Sequence, residues 1–449
     1  MREHRVLESG LSIYTVRSDS PVSHFQLFTP FGGDILSYRD PGSGAVVDLE
    51  PGSAHYFEHV LFIMPPLGRD GKPIRYRTNT PKTRKNLRDG ITELENNKAI
   101  VVNAYTANDH TNYWYVTRQN PLSNLEIMLD FVLTPYLPQD RFRQEQGTIA
   151  DEIARGDNES YWKLAEVWGK QALVRHGGRS PIIGTKESIA RISLEDVLSM
   201  HDTFYRPSNM TLVATGNVSM DAVAATVESK LRQLGKSAYS PPPGEVSQAE
   251  PAGVLVKDNF GSPFVRPDVS RPNVLAGWKY ILEPGTMSSQ ELMERHVAAE
   301  IAALALFTSG SRIRERLVQQ GMDERTFSGG NWDVRDRGTI MARGDTDDPE
   351  LFRKLILSAA EDALTYGIPA EEIEYARCLI LTGEDMKSAS LLDLGGSLAG
   401  WGALTRNPFD YFAAVERFAS ISPAEVNALL PELLAPENLS FALMAPGGK

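Results

Sequence analysis

The stretch Gly52-Ser53-Ala54-His55-Tyr56-Phe57-Glu58-His59-Val60-Leu61-Phe62 decides how the rest of the chain is read. Gly52-Ser53 offers a helix start, and on a helix residues four apart share one face. His55 and His59 would then present two imidazoles one turn apart, able to hold one zinc ion at about 2.0–2.1 Å. Glu58 lies beside them, close enough to hold a metal-bound water. This is the H-x-x-E-H order of certain zinc peptidases, the inverse of H-E-x-x-H. The chain has eight histidines, so a chance match is roughly a one-in-a-hundred event. The competing reading is an amphipathic helix with two buried, hydrogen-bonded histidines. Tyr56, Phe57, Val60, Leu61 and Phe62 supply the apolar face under either reading.

Catalytic zinc needs a third protein ligand and an open position for water. Downstream, Gln139 to Arg155 reads as a helix with Phe142, Glu145, Ile149 and Glu152 on or near one face. Glu145 and Glu152 are seven residues apart, two turns, so both carboxylates can point the same way. On spacing alone they read first as solvated helix charges. Leu122, Leu125, Leu129 and Val132 mark another helix, ended by Pro135, and Leu11 to Val16 alternates as a strand.

His55 to Phe62 is similar to the zinc helix of the pitrilysin/insulinase family of metallopeptidases. Asn103-Ala104-Tyr105-Thr106 and His110-Thr111-Asn112-Tyr113 resemble that family's edge-strand segment, and Arg143 to Ile153 its second zinc helix. His201 to Asn217 resembles the segment that closes its first half, so the likeness covers most of the chain, and the first half looks most like bacterial two-subunit members and a branch found beside peptide-maturation systems. The resemblance implies one Zn2+ per chain, held by His55, His59 and Glu152. It implies that Glu145 supports the ligands and that Glu58 acts as general base. It also implies a peptide substrate adding as a strand to an exposed sheet edge, with Asn103, Ala104 and Tyr105 as contacts.

Two departures stand out. His59 and Glu152 are 152 − 59 = 93 residues apart, beyond the usual family interval. The excess lies around Arg69 to Gly90, with Arg69, Lys72, Arg75, Arg77, Lys82, Arg84, Lys85 and Arg88. It reads as a solvated loop, or as a basic lip attracting acidic peptides or a partner subunit. Many family members also carry a substrate-contacting Arg and Tyr in the second half. Here Ser311 to Leu317 supplies arginines, but no tyrosine follows Gly321, and that half holds no second H-x-x-E-H.

The halves carry a trace of duplication. Ile192 to Val197 matches Ile421 to Val426 at an offset of 421 − 192 = 229, and Pro207 and Asn209 meet Pro436 and Asn438 at the same offset. Each copy reads as a Ser-capped helix, a Pro/Asn turn and a strand, Met210 to Thr215 and Leu439 to Met444. Pro241-Pro242-Pro243-Gly244 sits in a stretch that cannot be helix or central strand. The expectation is an α+β chain of two duplicated α/β-sandwich halves, helices packed on one side of each sheet; the resemblance implies the architecture of the mitochondrial processing peptidases. Residues 1–235 form the catalytic half, 236–253 the linker and 254–449 the non-catalytic half.

Composition narrows the function. The 449 residues carry 46 Lys+Arg against 58 Asp+Glu, a net charge of −12, which disfavours nucleic-acid binding because phosphate contacts need clustered positive charge. No apolar run reaches the roughly 18–20 residues of a membrane span. The single cysteine, Cys378, excludes an intrachain disulfide and fits a reducing compartment. With no apolar signal region near the N-terminus, the expected location is cytoplasmic. The resemblance implies a zinc endopeptidase cleaving peptides or small unfolded polypeptides in a closed chamber, in peptide maturation or leader removal. In that family a full chamber is built from four such halves, so the resemblance implies a homologous second subunit, or self-association. The alternative is a non-catalytic structural subunit of a heterodimeric peptidase.

Overall fold

The alternating run near the N-terminus forms a strand over Ser12–Arg17, one residue beyond its expected start. In the computed structural model the described residues are 1–68, 73, 87–156, 160–244, 250–282, 286–308, 310–320, 325–334 and 336–447. Ser12–Arg17 belongs to a sheet whose described strands run, edge to edge, Arg2–Val6, Ser12–Arg17, Thr211–Gly216, Ser23–Thr29, Thr111–Thr117 and Ala99–Thr106. Thr211–Gly216 lies parallel to Ser12–Arg17, and every other pairing is antiparallel. Ser23–Thr29 is buried along its whole length, as a central strand covered on both faces must be.

Its side chains divide by pleat. Phe25 and Leu27 join the main core, with Tyr56, Phe57, Leu125, Leu129, Val197 and Val223 from helices on one face. On the other face Gln26 Nε2 donates to the Gly395 carbonyl of helix Leu391–Thr405. A Cβ at Gly395 would stand 2.2 Å from the His24 ring, so the helix lies on the sheet at a distance that only glycine permits. Helices therefore cover both faces, where one-sided packing was expected.

The second sheet runs Phe264–Arg266, Leu439–Pro446, Asn273–Ile281, Arg337–Asp345 and Ser328–Val334 among the described residues. It repeats the same plan: Leu439–Pro446 is parallel to one neighbour and antiparallel to Asn273–Ile281. Trp278 stacks on Phe307 of helix Ser289–Phe307, while Trp168 of helix Ser160–Ala172 fills the space left by Gly277.

The duplicated sequence folds alike in both sheets. Ser193 caps Leu194–Phe204 by accepting from Asp196 N at 3.1 Å, and Ser422 caps Pro423–Leu433 by accepting from Glu425 N at 3.3 Å. A short 3₁₀ turn follows in each, Pro207–Asn209 and Pro436–Asn438, and then the strand.

The chain divides into two units, but not at one point. One is Met1–Ala154, Pro181–Ser247 and Ser388–Ala403; the other is Arg155–Ser180, Gln248–Lys387 and Leu404–Lys449. The expected boundary at 235–254 is therefore one of several crossings. A buried sheet needs cover on its second face, and residues 155–180 and 388–403 supply that cover to units whose other segments are distant in sequence. The described part of the expected linker is tied down. Arg206 donates to Ser240 Oγ at 3.0 Å and to Pro241 O at 3.1 Å, and Arg39 N donates to Gly244 O at 3.1 Å. Residues 245–249 lie outside the described residues. No described helix is long and apolar enough to cross a membrane.

Candidate metal centre and peptide edge

The motif helix spans Ser53–Leu61. Its start is made by Gly52 rather than by a serine cap. Gly52 has φ 92°, and a Cβ there would lie 2.7 Å from Ile183 O and 2.9 Å from the Gly184 Cα, so no other residue fits without displacement. Ser53 Oγ instead donates back to Glu50 O at 2.7 Å. The preceding turn is anchored by Ser188 Oγ, donating to Pro51 O at 2.7 Å, and by a two-pronged Arg191–Glu50 pair at 2.8 and 2.6 Å. Tyr56, Phe57, Val60 and Leu61 are fully buried, which turns the histidines towards the neighbouring helix.

That helix spans Gln139–Gly156, held to the core by Phe142, Ile149 and Ile153. Gln146 Nε2 donates to Ile189 O at 3.1 Å and Ile192 O at 3.3 Å. The Tyr56 hydroxyl donates to Phe142 O at 2.5 Å and joins the two helices. As a result, ligand atoms of His55, His59 and Glu152 all lie within 4.8 Å of one another. His55 Nε2 is 3.8 Å from Glu152 Oε1, and His59 Nε2 is 3.4 Å from Glu152 Oε2. Ligand atoms about 2.0–2.1 Å from a tetrahedral zinc are themselves ~3.4 Å apart, so the donor types suit such an ion and the two imidazole–carboxylate distances approach its spacing, while the widest separation, up to 4.8 Å, would have to close on binding. On the far side of the ring, His59 Nδ1 faces Glu145 Oε2 at 3.8 Å.

Burial sets the charge states. It pulls His55 down to about 3, with the charge of His59 adding to the effect, so that ring is a neutral potential ligand. For His59 burial acts downward, but the Glu145, Glu58 and Glu152 carboxylates outweigh it and raise the pKa. Glu58 is raised by burial, opposed by a Thr106 hydrogen bond and by His59, and raised further by Glu152. A carboxylate so placed holds a proton more readily than one in water.

Asn103, Ala104 and Tyr105 lie on Ala99–Thr106, the outermost strand beside the motif helix. Among the described residues its outer edge pairs with no strand. Asn103 is exposed, and its Oδ1 accepts from Ala104 N at 2.9 Å. Tyr105, 36% exposed, shares a hydrogen bond of 3.2 Å with His110 Nε2. Ile100 and Val101 are exposed at 59% and 44%. Sequence reasoning assigned no role to Thr106, whose hydroxyl donates to Glu58 Oε2 at 2.8 Å; a hydroxyl at a strand end gives no spacing signal.

Of the basic stretch 69–90, all but 73 and 87–90 lies outside the described residues, as do 321–324, where the missing tyrosine was noted. Arg88 pairs with Glu93. Of the second-half arginines, Arg312 pairs with Glu371 and Glu372 at 3.0 and 2.8 Å and Arg316 with Asp362 at 3.6 Å, within one unit.

A family model described as the Peptidase M16 inactive domain matches residues 191–378. The Bacillus subtilis (strain 168) protein YmfH, named as an uncharacterized zinc protease, is 26% identical over 449 residues, 99% of this chain and 96% of its own length. Together these matches support M16 peptidase-family membership. A further relative, the Helicobacter pylori (strain ATCC 700392 / 26695) protein named as zinc protease PqqE, is 27% identical over 224 residues, 49% of this chain and 44% of its own. Among solved structures, an M16-like peptidase from Alicyclobacillus acidocaldarius superposes with a TM-score of 0.85 at 23% identity, covering 100% of this chain and 98% of that one. At that identity the likeness is one of fold, and it carries the two-half M16 architecture. The M16 inactive-domain match begins at residue 191, downstream of His55, Glu58, His59 and Glu152.

Proposed function

We propose that this chain is a zinc metalloendopeptidase whose metal is held by His55, His59 and Glu152 and whose general base is Glu58. The observation that carries the reading is the convergence of those three ligand atoms within 4.8 Å of one another, from two helices whose His59 and Glu152 are 93 residues apart in sequence, with Glu58 near enough to interact electrostatically with His59 and Glu152. Zinc bound there would supply a Lewis acid for the scissile carbonyl and would acidify a water. Glu58 would take the proton of the attacking water and pass it to the leaving amine. Burial favours this, because it raises the affinity of the carboxylate for that proton. Glu145 would orient the His59 ring through Nδ1. The exposed edge of Ala99–Thr106 would seat the peptide by main-chain hydrogen bonds, with Asn103, Ala104 and Tyr105 at the contact.

The substrates proposed are peptides or small unfolded polypeptides, as in maturation or leader removal, enclosed with the help of a homologous second subunit or a second copy of this chain. A non-catalytic subunit is the alternative, and the description of the family model that matches 191–378 favours it. Against it stands the retention of the base together with all three ligands. Glu58→Gln separates the readings. The variant should keep one zinc per chain and lose hydrolysis of a fluorogenic peptide that the wild type cleaves and a chelator blocks. Cleavage by Glu58→Gln at the wild-type rate excludes Glu58 as base; chelator-insensitive cleavage excludes the zinc mechanism, and absent wild-type cleavage favours the structural subunit.

A further inference from the structure

The peptide edge and the proposed base are joined by one side chain. Thr106 is the last residue of Ala99–Thr106, and its bond to Glu58 Oε2 at 2.8 Å is the one hydrogen bond to that carboxylate among the described residues. The Thr106 proton has no better destination. Thr111 Oγ1 lies 3.4 Å away, a long contact, and directs its own proton to Phe31 O at 2.7 Å. Because the torsion at a glutamate carboxylate is broad and nearly two-fold, a single donor decides which oxygen is engaged and which is left for water.

The strand end that carries this donor is clamped. Ala107 N donates to His110 O at 2.8 Å and closes the hairpin. Gly33 N and Asp34 N then donate to Ala107 O and Asn108 O at 2.9 and 2.8 Å. Asn108 Nδ2 adds a bond to Asp34 Oδ1 at 2.7 Å. A Cβ at Gly32 would stand 2.4 Å from Asn108 O, an approach open only to glycine. The hydroxyl is therefore presented by a fixed backbone, in the strand on which the peptide would add.

We infer that Thr106 is a positioning residue: by holding Oε2 of Glu58 from the end of the substrate-seating strand, it aims Oε1 at the attacking water. The inference rests on Glu58 being the general base. Reactivity depends steeply on such alignment, whereas peptide affinity comes from the strand's main chain and does not pass through this hydroxyl.

The test compares Thr106→Val, which keeps the β-branched shape a strand prefers, with Thr106→Ser, which keeps the hydroxyl. Thr106→Val should lower kcat by roughly 10- to 100-fold, the range spanned by one charge-assisted hydrogen bond. KM, zinc content and thermal stability should hold, as should the affinity of the metal-free protein for the same fluorescent peptide by anisotropy. Thr106→Ser should restore kcat to within about threefold of wild type. Wild-type kcat in Thr106→Val, with Glu58→Gln inactive, overturns the inference and leaves the base assignment intact. An equal loss in both Thr106 variants, or a loss shared with metal-free peptide affinity, zinc content or melting temperature, also overturns it in favour of a packing role. Activity in Glu58→Gln overturns the reading beneath it.

Discussion

Glu145 tests the proposed metal set at the scale of one side chain. Its carboxylate faces His59 Nδ1 at 3.8 Å while Nε2 of the same ring points to Glu152 at 3.4 Å. Glu145→Gln should therefore leave the metal stoichiometry reachable but weaken zinc affinity by about 10- to 100-fold, the usual cost of losing an outer partner of a ligating histidine. Competition with a chromophoric chelator measures this, and unchanged affinity would remove Glu145 from any supporting role. At this scale the sequence was most legible where a spacing rule applied. His55 and His59 share a face by the helical period, whereas Glu145 and Glu152 read from spacing alone as solvated helix charges and are singled out only by the resemblance. The start of the helix was legible only as a place. Gly52, not Ser53, makes it, because the close approach of Gly184 is a tertiary fact. The Thr106–Glu58 bond joins a strand end to a helix and has no sequence period.

Elements were legible when a single chain segment carried their whole pattern. The helices Pro121–Leu133 and Gln139–Gly156 and the two capped helix–turn–strand repeats formed within a residue or two of their expected limits. The helices that cover the second face of each sheet were not legible in that role. Leu391–Thr405 reads as a glycine-bearing apolar segment, and only its seat over His24 explains Gly395. That seat has a pH signature. Burial holds His24 down at about 4, against an opposing pull from the Leu391 backbone, whereas the free residue titrates near 6.5. Between those values the unfolded chain binds a proton that folded His24 refuses. Stability therefore falls as pH drops from about 6.5 to about 4 and levels off below. The shift corresponds to about 3 kcal/mol. Denaturant unfolding of wild type and His24→Gln across that window should show a shallower slope in the variant. An unchanged slope would mean that other groups carry the acid sensitivity.

For the whole molecule, the decisive fact is convergence over distance. His55 and His59 are one helical turn apart by sequence alone, but Glu152 reaches them only because Tyr56 and Phe142 join their helices across the shared core. Spacing could not supply this, since the 93-residue interval departs from the pattern the resemblance implied. The duplication was legible as a 229-residue offset, and the two sheets follow one plan. The exchange of residues 155–180 and 388–403 between units was not, because a Pro/Gly-rich stretch marks where a chain turns and not which sheet the neighbouring segments cover. The most direct test of the account is the zinc content of exhaustively dialysed wild-type protein and Glu152→Ala, measured by elemental analysis at equal fold integrity. The account predicts one zinc per chain in the wild type and nearly none in the variant; full occupancy in Glu152→Ala would contradict it.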